Sequence, residues 1–560
     1  MKYLLNKTFL LFSLSRERLE SIRRLFDRHG TAIVASVLSA VSVWAFVLYY
    51  QNGLGLAYND ARSHLDIGRR VVEGLRPGFA QLGSVWLPLT HLLMTLTIWN
   101  DFMWHSGLAG ALWSMISYVA TGILLFLFLR ELGVGLVGRY VGVLVFAANL
   151  NILYLQSTAM TELALIGTTM AASYFLLLWY TRTRLPFLLL SALFVMLSTL
   201  IRYDGWFLFF FASAMLFVSA WKSGGYRKAE GTFVLFATLA GFGVFLWLLW
   251  NLLIFGDPLY FAFGPYSAHA QQDDLAAAGV LLTKGSWFLS VKMYFYALAY
   301  NTDTFVLILA AIGSWMLFFD RKIDARARFA SLALFAPLLF NILALYLGHS
   351  VLFIQGLSGD TWFNVRYGVL MMSSVAVFVG YLVHRSAAVR PVLLGTLLFV
   401  FFFQFSSQDA VTIDDGRTGA SQKNVTEVAR WLHDNAGPQK GYILISAASH
   451  DSVIFSSGLP MSRFIHEGTG PYYKSAINDP DNWARWIVVR SNSDSDSTWR
   501  LLKDNVGFLE GYRLVDHYPF ADVYELKPEY LSGVITDANA IRYGFSVLLL
   551  LWYGECMKRF

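Results

Sequence analysis

The sequence has 560 residues, of which 56% are hydrophobic, 16% aromatic and only 14% charged. A soluble protein carries about 25% charged residues, so this composition excludes a single water-soluble globule. The length also exceeds the roughly 250 to 300 residues at which one hydrophobic core stops growing, which predicts more than one structural unit. The single cysteine, Cys556, excludes an internal disulfide framework and a cysteine-based zinc site.

Apolar stretches of about 20 residues, the length that crosses a hydrocarbon core about 30 Å thick, recur along most of the chain. We predict an α-helical polytopic membrane protein with about 12 spans. The first span is too long for the core of a signal peptide, and no cleavage site follows it. The predicted spans lie near 31–50, 106–129, 137–155, 161–180, 185–201, 206–221, 232–254, 304–319, 328–347, 367–384, 390–406 and 541–554.

Lysine and arginine are concentrated in one alternating set of short connections that includes the N-terminus. Because positively charged loops stay in the cytoplasm, this set predicts a cytoplasmic N-terminus in a plasma, or inner, membrane. The net charge of +6 then reflects topology, so the lipid bilayer is a predicted partner and nucleic acid is not. The long loops 51–105, 255–303 and 348–366 fall on the extracytoplasmic side, and long loops often carry function.

Residues 407–535 differ in pattern from the membrane domain predicted over 1–406. Strand-like and helix-like runs alternate there over about 110 residues, which predicts a small extracytoplasmic α/β domain. Residues 541–554 then form a final predicted span. The strand-like runs are 442–446, 486–489, 512–515 and 523–526, and the helical run is 498–504.

Ionisable residues follow the first span directly, in the motif YNDAR at 58–62. Such residues at a membrane boundary cost free energy when they face lipid, which makes them candidates for function. If the chain becomes helical after Asn59, Asp60 and His64 lie one turn apart on one face. An ordinary solvated loop is the alternative.

Further charged residues lie at the external ends of later spans. Glu162 begins the fourth span, Arg202 and Asp204 occupy the next external corner, and Arg366 begins the tenth span. Positively charged residues are otherwise concentrated on the cytoplasmic side, so arginines on the external face are unexpected. A guanidinium group is suited to hydrogen bonding with phosphate oxygens. The two arginines therefore predict an anionic partner. The alternatives are a Glu162 that only stabilises its helix dipole and an Arg202–Asp204 ion pair without chemistry.

An acid near two arginines at the lipid boundary suits sugar transfer from a lipid phosphate. The arginines would stabilise the charge that develops on the leaving phosphate, and a carboxylate would deprotonate the acceptor hydroxyl. The hydrophobic tail of such a donor remains in the bilayer, so no nucleotide pocket is required.

These motifs resemble the GT-C superfamily of integral-membrane glycosyltransferases. The similarity is greatest to the branch that contains protein O-mannosyltransferases and the bacterial aminoarabinose transferase of lipid A. Each motif is short, but the motifs occur in the same order as in the family, all lie on the same predicted side of the membrane, and together cover the whole membrane part. The motifs are YNDAR at 58–62, MTE at 160–162, RYDG at 202–205, NLLIFGDPL at 251–259 and RY at 366–367.

The resemblance implies a polyprenyl- or dolichyl-phosphate sugar as donor, and an inverting single displacement with Asp60 as general base. The acceptor class, whether glycan, lipid or protein, stays open. No cofactor is required, although Asp60, His64 and Glu162 leave a divalent metal open. The other assignments are Glu162, Asp204 and His64 to the acceptor or a second acid, Arg366, Arg202, Tyr367 and Arg62 to the donor phosphate, and Tyr58 and Asn59 to the neighbourhood of the site.

Three alternatives stay open at this point. One is a catalytically silent scaffold of the same fold. A lipid-linked oligosaccharide ligase or polymerase shares the fold and handles a longer glycan. A secondary transporter is also a polytopic helical protein, but it places its substrate near the bilayer midplane, often within internal repeats. Here the ionisable residues lie at the external ends, and the two halves of the sequence show no clear repeat.

Overall fold

The computed structural model describes residues 20–21, 23–264, 267–277, 279–418, 422–491 and 493–536. Helices dominate it, as the apolar composition predicts. The helices are α1 (Gly30–Gln51), α2 (Asn59–Val72), α3 (Leu89–Met94), α4 (Asp101–His105), α5 (Leu108–Glu131), α6 (Leu136–Ala147), α7 (Leu150–Leu155), α8 (Glu162–Arg182), α9 (Leu185–Thr199), α10 (Asp204–Phe255), α11 (Tyr260–Phe263), α12 (Ala268–Ala277), α13 (Trp287–Thr302), α14 (Thr304–Phe319), α15 (Ala325–Ala330), α16 (Ala336–Leu347), α17 (Met372–Arg385), α18 (Arg390–Ser407), α19 (Val411–Thr418), α20 (Gln422–Trp431), α21 (Ala447–Ser456), α22 (Pro471–Asn478), α23 (Pro480–Trp483), α24 (Ser497–Leu502) and α25 (Val506–Gly511).

Among the described residues, seven helical segments are long and apolar enough to cross a membrane, or eight if a bent pair counts as one span. The chain is therefore a multi-pass membrane protein. The seven segments are Gly30–Gln51, Leu108–Glu131, Glu162–Arg182, Asp204–Phe255, Ala325–Leu347, Val365–Arg385 and Arg390–Thr418, and the bent pair is α13 and α14.

The predicted count of twelve spans is not confirmed. Two predicted spans, 206–221 and 232–254, fall within α10, which is interrupted at Gly224 and Gly225, where Gly225 has φ 75°. The predicted span 137–155 contains two short helices, α6 and α7, and the predicted span 185–201 corresponds to α9; α6 is only 12 residues long. A helix of that length rises about 18 Å, which is less than the hydrocarbon thickness. The predicted span 541–554 lies outside the described residues.

The predicted external loop 255–303 also contains more helix than expected. Its last part is α13, which has 16 residues. Asp303, with φ 70°, separates α13 from α14, and the two helices meet at a bend of 108°. The aromatic and apolar residues of α13 therefore belong to a helix whose continuation changes direction sharply.

The chain divides into two compact units. Unit 1 comprises Met1–Leu54, Ala111–Trp250 and Gln272–Asp415, and unit 2 comprises Gly55–Gly110, Asn251–Gln271 and Gly416–Phe560. The first long loop is therefore grouped with the C-terminal α/β part. The domain boundary at 406 stays a prediction.

In unit 1, α6 and α17 approach closely through small residues. A Cβ atom added to Gly138 would lie 2.5 Å from the carbonyl oxygen of Gly380, and one added to Gly142 would lie 2.9 Å from that of Ala376. Small residues at a four-residue spacing allow two helix backbones to come together in a membrane, where packing drives helix association. The glycines of α6 thus contribute to packing.

Replacing Gly138 with alanine is expected to lower the thermal stability of the detergent-solubilised protein. The new methyl group meets a helix backbone, and such overpacking costs roughly 1–3 kcal/mol. Gly395 of α18 is the matched control, because a Cβ atom there meets no atom within 4 Å. The Gly395→Ala variant should be as stable as the wild type or slightly more stable. Equal melting temperatures for the two variants would contradict this view of the contact.

Unit 2 contains a five-stranded sheet with strand order β2-β1-β3-β5-β4. The first three strands in chain order run parallel, and β5 lies antiparallel to both β3 and β4. Every residue of β1 and β3 is buried, as is typical of central parallel strands. The strands are β1 (Ile443–Ile445), β2 (Phe464–Ile465), β3 (Trp486–Val489), β4 (Tyr512–His517) and β5 (Asp522–Leu526).

The predicted fold class, a helical membrane protein with a small α/β part, is confirmed. The four predicted strand-like runs coincide with β1, β3, β4 and β5, and the predicted helical run coincides with α24. The sequence pattern missed β2, because two residues are too few to show alternation.

Candidate active site

Glu162 lies at the centre of a group of charged residues in unit 1. It is the first residue of α8, and its side chain is fully buried. Arg366 Nε donates a hydrogen bond to Glu162 Oε1 over 3.0 Å, and Arg202 Nη1 donates to the same oxygen over 3.2 Å. One carboxylate therefore bridges two guanidinium groups that lie far apart in the sequence.

Two more acids and a tyrosine complete this group. Arg202 Nε donates to Asp204 Oδ2 over 3.2 Å, and Arg366 Nη1 lies 3.8 Å from Asp415 Oδ2. The ring of Tyr367 lies within cation–π range of both arginines, at 5.0 and 5.5 Å from their guanidinium carbons. The Arg202–Asp204 ion pair that the sequence left open is present. We call these residues the Glu162 cluster: Glu162, Arg202, Asp204, Arg366, Tyr367 and Asp415.

Asn301, which the sequence analysis did not select, supports the backbone beside Arg366. Its side-chain amide donates to the carbonyl oxygens of Val365 and Ala297, each over 2.7 Å. Arg366 lies in a 3-10 turn that begins at Val365. An added Cβ at Gly368 would lie 2.3 Å from the carbonyl oxygen of Ala297, so this turn is packed directly against α13.

Two more buried asparagines extend this network. Asn149 donates to the carbonyl oxygen of Asn301 over 2.7 Å, and Asn151 donates to the same oxygen over 3.2 Å. Asn151 Oδ1 also accepts from the N–H and the hydroxyl group of Thr412, on the helix that carries Asp415. Asparagines within a predicted span are a signal of a buried polar network, and this signal could have found them.

The residues of the YNDAR motif lie in unit 2. Of the two alternatives after Asn59, a helix or a solvated loop, the structure has the helix, α2, and Asp60 lies in its first turn. Arg62 Nε donates to the carbonyl oxygen of Leu56 over 2.9 Å, and its Nη1 donates to Ser456 Oγ over 3.1 Å. Tyr58, which precedes the helix, is buried. The predicted site residues thus fall into two groups, one in each unit.

Comparison with solved structures identifies the fold. ArnT from Cupriavidus metallidurans in the apo state aligns at TM-score 0.55 and 10% identity over 88% of this chain and 98% of that chain. ArnT from the same organism bound to undecaprenyl phosphate aligns at TM-score 0.53 and 10% identity over 87% and 98%. ArnT is a GT-C lipid A aminoarabinose transferase. The chain has the GT-C fold.

The resemblance drawn from the motifs is therefore confirmed for the fold. No protein-family model matches the sequence, and no curated protein matches it. At 10% identity the structural match carries no residue roles, so the roles assigned to individual residues stay predictions.

His64 pairs with a histidine that the sequence analysis missed. His64 Nδ1 lies 2.8 Å from His91 Nε2, and the ring of Trp86 lies 4.4 Å from that of His64. Burial, with the neighbouring charges of His64 and Arg70, holds the pKa of His91 well below its ordinary value. His91 is therefore neutral at physiological pH, and the two rings share a hydrogen bond in unit 2 of this GT-C fold.

Within the part of the chain that the structure describes, no three His, Cys, Asp or Glu side chains are grouped closely enough to hold a metal ion. The structure therefore adds no support for the divalent metal ion that the sequence left open at Asp60, His64 and Glu162.

The Glu162 cluster constrains how an anion could bind beside its two arginines. Both arginines already donate to carboxylates, and the cluster contains three acids for two guanidinium groups. An incoming phosphate must therefore share or replace Glu162 as acceptor. Glu162 Oε2 and Asp204 Oδ1 are buried without a hydrogen-bond partner among the described residues. Such oxygens can accept hydrogen bonds from a hydroxylated ligand.

Proposed function

We propose that the protein is a glycosyltransferase that moves a sugar from a polyprenyl-phosphate donor to an acceptor hydroxyl group. The GT-C fold, aligned over 98% of ArnT bound to undecaprenyl phosphate, is the observation that carries the proposal. Asp60 lies in the first turn of α2, and its carboxylate is the base that the resemblance of the YNDAR motif implies. The N-terminus is cytoplasmic and the reaction takes place on the extracytoplasmic side of the plasma membrane.

In the proposed reaction Asp60 takes the proton of the acceptor hydroxyl as the new bond forms. The acceptor oxygen attacks the anomeric carbon, and the bond from that carbon to the phosphate oxygen breaks. Configuration inverts, and the lipid phosphate leaves with the electron pair. General-base assistance of this kind contributes about 10²–10⁴-fold to a rate.

The Glu162 cluster is the proposed site for the donor phosphate. Arg366 and Arg202 would stabilise the negative charge that develops on the leaving group, with Tyr367 beside both guanidinium groups. The unpartnered oxygens of Glu162 and Asp204 support a role in holding sugar or acceptor hydroxyls. Arg62 and His64 complete the proposed set on α2, with Tyr58 and Asn59 as neighbours. The acceptor is a glycan, lipid or protein.

The test is an assay of the purified protein with a panel of polyprenyl-phosphate sugars and a membrane extract as acceptor source. Mass spectrometry should detect release of polyprenyl phosphate and a product heavier by one sugar. Use of diphosphate-linked oligosaccharides alone would favour the ligase or polymerase. Movement of solute into proteoliposomes without bond cleavage would favour a transporter, and either outcome would overturn the proposal.

A further inference from the structure

Helix α21 of the α/β part contacts α2, the helix that carries Asp60. Ser452 Oγ donates to the carbonyl oxygen of Asn59 over 3.3 Å. Ser456 Oγ accepts from Arg62 Nη1 over 3.1 Å. These two contacts fix the residues on either side of Asp60, one through the backbone and one through a side chain.

A buried ion pair joins the same two helices near the end of α2. Asp451 accepts from Arg70 Nη1 over 3.0 Å and from Nη2 over 3.3 Å, and both side chains are only 11% exposed. Such paired, charge-assisted bonds are directional and stronger than bonds between neutral groups. This pair therefore fixes the rotation of α2 about its axis, and with it the direction in which Asp60 projects.

A second acid, Asp66, lies one turn before Arg70 on α2. Burial and the charge of Asp451 raise the pKa of Asp66 well above its ordinary value. Burial also raises the pKa of Asp451 to about 6, although Arg70 opposes this rise. Asp66 therefore holds its proton more strongly than an ordinary carboxyl group, and Asp451 is the acid that pairs with Arg70.

Helix α21 is itself held firmly to the sheet. The N–H of Ala447, its first residue, donates to Glu467 Oε2 over 2.9 Å. His450 Nε2 lies 2.9 Å from Asp496 Oδ2, and both of these side chains are fully buried. Glu467 follows β2 and Asp496 follows β3, so loops from two parallel strands anchor α21. The backbone of α21 is interrupted at His450, so the His450–Asp496 contact holds the chain directly before Asp451. A segment with this support can hold another element in a defined place.

We propose that the α/β part of unit 2 acts as a scaffold for the catalytic helix. Asp451, Ser452 and Ser456 are positioning residues that set the place and direction of Asp60. This inference rests on the proposed function, in which Asp60 is the base. It gives the α/β part a role in catalysis through α2, without requiring that part to touch the substrate.

The first test compares Asp451→Asn and Ser452→Ala with the wild type in sugar transfer. Each variant should lower kcat about 10- to 100-fold, because small misplacement of a catalytic group costs up to about 100-fold. The KM for the donor should change less than about twofold, since the residues proposed to bind the donor phosphate, those of the Glu162 cluster, are unaltered in both variants. The control is Asp494→Asn, the same change in an exposed ion pair with Lys503 in the same unit.

A double-variant cycle tests the ion pair directly. The double variant Arg70→Gln with Asp451→Asn should lose no more activity than the less active of the two single variants, because both substitutions break the same ion pair. Additive losses in kcat would overturn the assignment of Arg70 and Asp451 as one link.

The pH profile provides a readout that a purely structural role would not change. Arg70 and Asp66 of α2 and Glu467 after β2 act on Asp451, and His466 beside Glu467 stays neutral because burial lowers its pKa. Because the pKa of Asp451 is about 6, its pairing with Arg70 weakens as the pH falls through that value. The wild type should lose kcat there more steeply than Asp451→Asn. Identical profiles would contradict the proposal.

Hydrogen exchange separates this inference from the proposed function. Amides of α2 should exchange faster in Asp451→Asn and Ser452→Ala than in Asp494→Asn, whether or not sugar is transferred. If the wild type transfers no sugar, the proposed function fails, and the exchange rates still decide whether α21 holds α2. Unchanged exchange together with unchanged kcat overturns the scaffold.

Discussion

Replacement of Asp60 with asparagine should lower sugar transfer by about 10²–10⁴-fold, because the amide cannot take the acceptor proton. The change keeps the size of the side chain and its place in the first turn of α2. Expression, thermal stability and binding of the polyprenyl-phosphate donor should therefore stay close to the wild type. Rates from the mass-spectrometric assay, together with donor binding by the same protein sample, measure both parts of the prediction.

Asp360→Asn provides the matched control. Asp360 is an exposed residue of the long loop 348–366 and undergoes the same chemical change. Its transfer rate should match that of the wild type. If Asp60→Asn transfers sugar at the rate of Asp360→Asn, Asp60 is not the base. The proposed mechanism would then need another carboxylate.

The sequence left a helix or a loop open after Asn59, and it located four strands to within two residues at each end, because these strands carry strong local signals. Asp60, His64 and the two arginines at 69 and 70 have helical spacing, and the structure confirms a helix over Asn59–Val72. The strand-like runs at 442 and 486 are continuous apolar segments, and both become fully buried parallel strands. Local sequence pattern, helical spacing in one case and short apolar runs in the other, was enough in these places.

Long-range pairing limited the prediction of the Glu162 cluster. Charge bias against the orientation rule selected Arg202 and Arg366, and both do lie together in unit 1. Their shared partner, Glu162, could be selected as a helix-terminal acid but not as a bridge, because the contact joins residues 204 positions apart. Asp415 was not selected, because nothing in the local sequence indicates that its helix places it beside Arg366.

Helix interruptions affect how the spans of this chain are counted. Hydropathy counts apolar length, but Gly224 and Gly225 interrupt α10 without a long polar loop, and Asp303 separates α13 from α14 within an apolar stretch. The asparagines at 149, 151 and 301 satisfy backbone groups near such breaks. Breaks in a membrane helix are tolerated where neighbouring polar groups supply hydrogen bonds. The count of twelve spans stays a prediction.

Replacement of Arg366 with methionine should destabilise unit 1 strongly, because it leaves the buried Glu162 with one guanidinium partner fewer. Breaking a buried ion pair costs about 3–5 kcal/mol, and the lower value applies here because Arg202 still donates to Glu162. Melting temperature in detergent measures the loss. Arg182→Met is the matched control, because the side chain of Arg182, which pairs with Glu131, is about half exposed to solvent. Loss of this pair should lower the free energy of unfolding by less than about 1 kcal/mol.

The double variant Glu162→Gln with Arg366→Met separates a structural role of Arg366 from phosphate binding. Removing both charges should restore most of the lost stability. If Arg366 only pairs with Glu162, the double variant should also bind polyprenyl phosphate as the wild type does. If Arg366 binds the phosphate, affinity should stay about 10- to 150-fold weaker, the equivalent of one charged hydrogen bond of about 1.5–3 kcal/mol.

Glu162→Gln alone then tests whether the carboxylate competes with the donor. The amide keeps a hydrogen-bond acceptor near both arginines but removes the negative charge, so polyprenyl phosphate should bind more tightly than to the wild type. Transfer should fall if Glu162 also holds the acceptor, because tighter binding of the ground state does not by itself speed the reaction. Weaker donor binding by Glu162→Gln would contradict competition and indicate that Glu162 instead holds the two arginines in the orientation that the phosphate needs.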